Sequence, residues 1–136
     1  MNILKFLTPK SKTAYLESDD SIRQGLEKMR HHGYSALTVI NPQDGTYIGT
    51  VREGDFLRLL LDMGMPELSA LEGVPLLQIV RSDNPAVNVT APLETLLERI
   101  QDNNFVPVVD DRGCFIGIVT RKAIIGHFAC NYLYSN

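Results

Sequence analysis

Ile48-Gly49-Thr50-Val51-Arg52-Glu53-Gly54-Asp55 is answered 68 positions later by Ile116-Gly117-Ile118-Val119-Thr120-Arg121-Lys122. Each stretch is a short apolar run around a glycine that passes straight into a polar, helix-opening sequence. Upstream, Leu16, Ile22, Leu26, Glu27, Met29 and Tyr34 fall 71 positions before Val87, Leu93, Leu97, Glu98, Ile100 and Phe105. Residues 16–60 therefore return as 87–128, and the change of offset is read as a three-residue insertion in the first copy's loop 41–46. A unit of about 45 residues cannot close a core alone, so the two copies are expected to pack face to face and to leave clefts between them.

Periodicity spells one element order in both copies. A short apolar strand (14–16; 87–89) meets a helix-start signal, Asp19 to Ser21 in the first copy and Thr90 with Pro92 in the second. Ile22, Leu26 and Met29, or Leu93, Leu97 and Ile100, then make one apolar helix face, ended by Gly33 or by Asn103 with Asn104. Two strands joined by a turn follow (34–40 and 47–51; 105–109 and 114–119), and a second helix closes each copy (54–62; 121 to about 132). The expected class is α/β (α+β), with two strand-helix-strand-strand-helix repeats related by a pseudo-two-fold. The chain divides into 1–62, the first repeat with an N-terminal lead-in helix; 63–82, a linker with short helical turns; and 83–136, the second repeat. Residues 76–80 precede the second copy as 3–7 precede the first.

Composition sets outer limits. The 136 residues are 44% hydrophobic and 21% charged, ordinary for one soluble globular domain. A net charge of −3 argues against nucleic acid as partner. Cys114 and Cys130 are too few for a disulfide framework or zinc knuckle and fit a reducing, cytoplasmic setting. The opening apolar residues are broken by Lys5 and Pro9, short of a signal-peptide core, and no run of 18 apolar residues suggests a membrane span.

A helix start can hold an anion, because its first N–H groups point outward with a positive dipole. Thr120, Arg121 and Lys122 stand at such a start, so a hydroxyl and two cations can converge on a phosphate. The alternative is a capped helix with two solvated cations. Arg52 and Asp55 stand at the corresponding start in the first copy.

Together, Gly33-Tyr34-Ser35-Ala36-Leu37-Thr38-Val39, Ile48 to Asp55 and their partners Phe105-Val106-Pro107-Val108-Val109 and Ile116 to Lys122 resemble the CBS domain, and the tandem pair resembles a Bateman module. The resemblance implies a non-catalytic module, dimerised, that holds adenine nucleotides in clefts between repeats. The family's usual motif ends in a hydroxyl residue followed three positions later by an acid for ribose. Here Arg52 replaces the hydroxyl while Asp55 keeps the acid, and Thr120 keeps the hydroxyl while Ala123 replaces the acid. Small stand-alone Bateman proteins of Gram-positive bacteria that bind cyclic di-AMP are similar at Lys12-Thr13-Ala14, at Gly33 to Ala36 and at Gly117 to Lys122. The resemblance thus implies a nucleotide site of Lys12, Thr13, Ala14, Tyr34, Ser35, Ala36, Thr120, Arg121 and Lys122. A weaker second cleft comprises Arg52, Asp55, Asn84, Ala86, Val106 and Pro107.

Other chemistry has little support. His31 and His32 lack further ligands at metal spacing, and Ser35 and Cys114 lack a base. No cofactor or metal is expected beyond a regulatory nucleotide. Two readings remain besides a disfavoured enzyme: a nucleotide sensor (cyclic di-AMP, AMP, ADP or ATP) that signals to an effector protein, and a structural dimerisation module without ligand. A homodimer is expected in either, because Phe56, Leu57, Leu59, Leu60 and Leu61, and Ile124, Ile125 and Phe128, leave each closing helix apolar on more than one side.

Overall fold

The computed structural model describes residues 2–134. Residues 1 and 135–136, the outer ends of the expected repeats, lie outside the described residues. In chain order the strands and helices are β1 (Leu7–Pro9), β2 (Tyr15–Glu17), α1 (Ile22–His32), β3 (Ala36–Ile40), β4 (Tyr47–Arg52), α2 (Glu53–Asp62), β5 (Val87–Asn88), α3 (Leu93–Arg99), β6 (Phe105–Val109), β7 (Phe115–Thr120) and α4 (Arg121–Tyr134). Short 3-10 helices at Ile3–Phe6, Lys10–Lys12, Leu68–Gly73 and Leu76–Ile79 fill the lead-ins and the connecting segment. The class is mixed α/β, and the strand-helix-strand-strand-helix order occurs twice.

Helix α1 shows why these residues choose their elements. Ser21 accepts from the Gln24 N–H at 3.1 Å while the Gln24 side chain accepts from the Ser21 N–H at 2.8 Å, a reciprocal cap. Gly33 stops the helix at φ 70°, a left-handed conformation that costs glycine nothing. Between the two ends, Ile22 and Met29 face the core.

By packing, the chain divides into two units, residues 14–84 and the first thirteen residues together with 85 onward. In the first unit β2 runs parallel to β3 and β3 antiparallel to β4, over a core that includes Leu16, Ile22, Val39, Phe56 and Leu76. The second unit has a four-stranded sheet, order β1-β7-β6-β5, over a core that includes Ile3, Phe6, Leu96, Val108 and Ile124. The lead-in 3-10 helix Ile3–Phe6 thus packs with the second copy's elements, and Leu76–Ile79 packs with the first copy's.

Register corrects the placement of the insertion. Leu16 faces Val39, a separation of 23 residues, and Val87 faces Val108, a separation of 21. Ile40 faces Tyr47 and Val109 faces Phe115, separations of 7 and 6. Two of the three additional residues therefore lie between the first helix start and β3, where α1 has 11 residues and α3 has 7, and one lies in the hairpin. Phe105 faces Thr120 as Ala36 faces Arg52, so Ala36, and not Tyr34, is the structural counterpart of Phe105.

The duplicated glycines have a specific cause. A Cβ on Gly117 would lie 2.2 Å from the Thr8 carbonyl oxygen, and one on Gly49 would lie 2.3 Å from that of Arg81. Gly117 also has φ 154°, which side chains rarely adopt. Each glycine lets a lead-in backbone lie against a strand: β1 pairs with β7 in the one case, and Arg81 bridges Thr50 in the other. Gly117→Ala and Gly49→Ala should each lower unfolding stability in urea by about 2–3 kcal/mol through backbone overlap. Gly54→Ala, which meets nothing within 4 Å in the first turn of α2, should leave stability unchanged or raise it by up to ~1 kcal/mol.

Candidate functional site

In the second unit, Thr120, Arg121 and Lys122 stand where β7 becomes α4, and each does something different. Thr120 Oγ1 accepts from the Ala123 N–H at 3.0 Å and caps the helix. Arg121 reaches back: its Nε donates to the Ile100 carbonyl at 2.7 Å, Nη2 approaches the Gln101 carbonyl at 3.5 Å, and its N–H donates to Asn104 O at 2.8 Å. Its guanidinium thus meets the carbonyls of the C-cap residue of α3 and of the residue after it. Lys122 is exposed, and its side chain makes no ion pair or hydrogen bond among the described residues. A cavity of about 460 Å³ with a mostly apolar wall is lined by Asn104, Thr120, Arg121, Lys122, Ile125 and Gly126.

Lys12 and Thr13 belong to the same unit. Thr13 closes its own turn, its hydroxyl and N–H both donating to the Lys10 carbonyl at 3.0 and 3.1 Å. The turn Lys10–Lys12 packs on β7. Because β1 is antiparallel, with Leu7 beside Val119 and Pro9 beside Gly117, the chain leaves in the direction of Phe115 rather than Thr120. Among the described residues no hydrogen bond joins Lys12 to Thr120, Arg121 or Lys122. Of the weaker set, Val106 and Pro107 are buried in β6, and Ala86 is half-buried just before β5.

The remaining residues lie in the first unit. Ala14 and Ala36 are half-buried; Tyr34 is exposed, its ring stacked on His32 with centroids 6.3 Å apart. The Ser35 carbonyl accepts from the Glu53 N–H at 2.9 Å and so helps start α2. Asn84 is buried, and its carbonyl accepts the Tyr47 hydroxyl at 2.6 Å.

Asp55 and Arg52 form part of a charge network that includes three residues not singled out from the sequence: Arg58, Arg81 and Asp83. The buried Asp55 carboxylate accepts from the Arg52 N–H at 2.8 Å, and its Oδ1 accepts from Arg58 Nη2 at 3.0 Å and from Arg81 Nη1 at 3.1 Å. Asp83 Oδ2 lies 3.3 Å from Arg52 Nη1 and 3.4 Å from Arg81 Nε. Arg81 was accessible to sequence reasoning, since residues 76–80 parallel 3–7 and place Arg81 in the lead-in that approaches Gly49. Arg58 and Asp83 carry no such signal.

Elsewhere, the Asp44 carboxyl is held below its ordinary value, chiefly by the Thr46 N–H and then by the Thr46 hydroxyl, in the β3–β4 hairpin turn. Among the described residues no group of three His, Cys, Asp or Glu side chains is placed to hold a metal, and no helix is long and apolar enough to cross a membrane.

Asp55 therefore has a structural task that stands apart from any ligand. Its arginine partners are more exposed and water can solvate them once it is gone, so the cost is mainly the lost helix cap and the hydrogen bonds to the buried carboxylate. Asp55→Ala should lower unfolding stability by about 1–2 kcal/mol in chemical denaturation without ligand.

The CBS domain family model matches residues 7–62 and 77–129. The cyclic di-AMP receptor B of Bacillus subtilis (strain 168) is 21% identical over 121 residues, covering 89% of this chain and 82% of the receptor. The crystal structure of the Listeria monocytogenes CbpB protein in complex with c-di-AMP superposes with a TM-score of 0.86 at 21% identity, covering 98% of each chain. CBSX2 in complex with AMP gives a TM-score of 0.75 at 23% identity, covering 94% of this chain and 96% of CBSX2. At such identities the structural likeness speaks for the fold. With both repeats matched and the strand-helix-strand-strand-helix unit present twice, the chain belongs to the CBS domain family, which it represents as a tandem pair.

Proposed function

We propose that this protein is a non-catalytic regulatory module that binds an adenine nucleotide, with cyclic di-AMP the first candidate, and passes its occupancy to an effector protein as a homodimer. The observation that carries this reading is Lys122. It is a cation in the first turn of α4 that has no ion-pair or hydrogen-bond partner among the described residues, beside a mostly apolar cavity of about 460 Å³. An apolar wall suits a base, and a free ammonium with outward N–H groups suits a phosphate. Relatives whose structures hold c-di-AMP or AMP support the choice of ligand class. Ala123 in place of a ribose carboxylate favours a cyclic dinucleotide, whose 3′ oxygens are esterified.

The charge network around Asp55 supports a second reading, a structural dimerisation module without ligand, because the first unit's acid and cations already satisfy one another. A thermal-shift screen with cyclic di-AMP, AMP, ADP, ATP and S-adenosylmethionine separates the two, since a ligand at 100 times its Kd adds about 2.7 kcal/mol. Stabilisation by cyclic di-AMP or AMP supports the sensor; no response from any of the five favours the structural module. Lys122→Ala should weaken nucleotide binding by roughly 10- to 150-fold, the value of one charge-assisted contact.

The homodimer rests on exposed apolar surface. Leu57 and Leu61 on α2 are 55% and 59% exposed, and Ile125 and Phe128 on α4 are 56% and 40% exposed. Sedimentation at micromolar concentration should show twice the 15.2 kDa chain mass, and Leu57→Asp with Leu61→Asp should return it to the monomer. A wild-type monomer under those conditions removes the dimer from the proposal.

A further inference from the structure

Asp83 Oδ2 occupies a position that suits an anionic oxygen from outside the chain. It lies between two guanidinium groups, 3.3 Å from Arg52 Nη1 and 3.4 Å from Arg81 Nε. The backbones of both arginines are held independently of it, and so is the guanidinium of Arg81. Arg81 is fixed by backbone hydrogen bonds with Thr50 in both directions, at 2.9 and 3.0 Å, and its Nη1 is tied to the buried Asp55. The main chain of Arg52 is fixed where β4 becomes α2, its N–H donating to Asp55 Oδ2, and its guanidinium turns to Asp83. Asp83 is not fixed in this way. It stands with Ser82 on a two-residue exposed arch between the bridged Arg81 and the buried Asn84, and its side chain is 46% exposed.

We infer that Arg52 and Arg81 form a seat for a phosphoryl oxygen of a nucleotide and that Asp83 is an internal competitor for it, an autoinhibitory contact that the ligand displaces. The inference deepens the nucleotide reading above and rests on it for the chemical class of the ligand. Two observations make displacement feasible. Exposed carboxylate–guanidinium pairs contribute little, so releasing Asp83 into water costs little. The arginines lose nothing by the exchange, because one phosphate oxygen can bridge the two guanidinium groups as Asp83 Oδ2 does, with at least as much charge. Asp55 fixes the guanidinium of Arg81, while its own oxygens are used by Arg52, Arg58 and Arg81. It acts as a positioning residue and does not touch the ligand.

The test is titration calorimetry of inorganic pyrophosphate, AMP and cyclic di-AMP into the wild type, Asp83→Asn and Asp83→Asn with Arg52→Ala, each checked for folding by circular dichroism. Asp83→Asn keeps the side chain's size and removes its charge. It should bind pyrophosphate roughly three- to tenfold more tightly than wild type, the effect of deleting one competing surface charge, and Arg52→Ala should cancel the gain. The gain should shrink as salt is raised. No gain in Asp83→Asn, including no binding to either protein, or a gain that survives Arg52→Ala, overturns the inference. Wild-type nucleotide binding that depends on Lys122 with no gain in Asp83→Asn removes this inference alone. A pyrophosphate gain in a protein that ignores both nucleotides removes the nucleotide reading and leaves the anion seat.

Discussion

Two carbonyl oxygens, of Thr8 and Arg81, lie where side chains on Gly117 and Gly49 would begin. The rest of the structure depends on that approach. A single repeat supplies three strands and two helices, too little apolar surface to close over. The lead-in segments add what is missing. Ile3 and Phe6 enter the core of the unit that contains β7, and Leu76 enters the core of the unit that contains β4. Any side chain on either glycine would push a backbone away, and with it the apolar residues that the same segment buries.

The same approach makes the two units chemically unequal. At matching places it sets Thr8 against Gly117 and Arg81 against Gly49, a neutral residue in one unit and a cation in the other. Arg81 then draws Asp55, Asp83, Arg52 and Arg58 into one network. In the second unit the counterpart of Asp55 is Ala123, so no acid waits for a cation there. Arg121 turns to the carbonyls just past the end of α3 instead, and among the described residues the Lys122 side chain is left without an ion-pair or hydrogen-bond partner. Duplication preserved the apolar positions, and divergence at a few polar ones decided which half spends its charges internally.

Apolar periodicity made the repeat, the element order and the mixed class legible in the sequence, because both copies must bury the same helix and strand faces. The insertion was misplaced for a physical reason. Residues added near the end of α1 extend a helix without interrupting its pattern, so Tyr34 and Phe105 line up by count although β3 and β6 pair their hairpins from Ala36 and Phe105. The strand Leu7–Pro9 escaped notice because three residues ending in proline show no alternation. Among the candidate site residues, Thr120 was legible as a helix start. Arg121 was ambiguous, since a cation at a helix start serves a phosphate or a neighbouring helix's carbonyls equally well, and only its 2.7 Å contact with Ile100 identifies the second task.

Whether the protein senses a nucleotide or only assembles turns on charges that folding has not already used. A carboxylate buried under two guanidinium groups, as Asp55 is, is poorly placed to exchange them for ribose hydroxyls: removing its partners would leave a desolvated charge. Asp83 is in the opposite situation, since water can replace both of its arginines at little cost. Among the described residues the ammonium of Lys122 has no ion pair or hydrogen bond to give up. Ligand binding is favoured where the exchange is cheapest, which orders the three groups as Lys122 first, the Arg52–Arg81 pair once Asp83 is displaced, and Asp55 last. The acid that most resembles a family binding residue is thus the one most firmly committed to the fold.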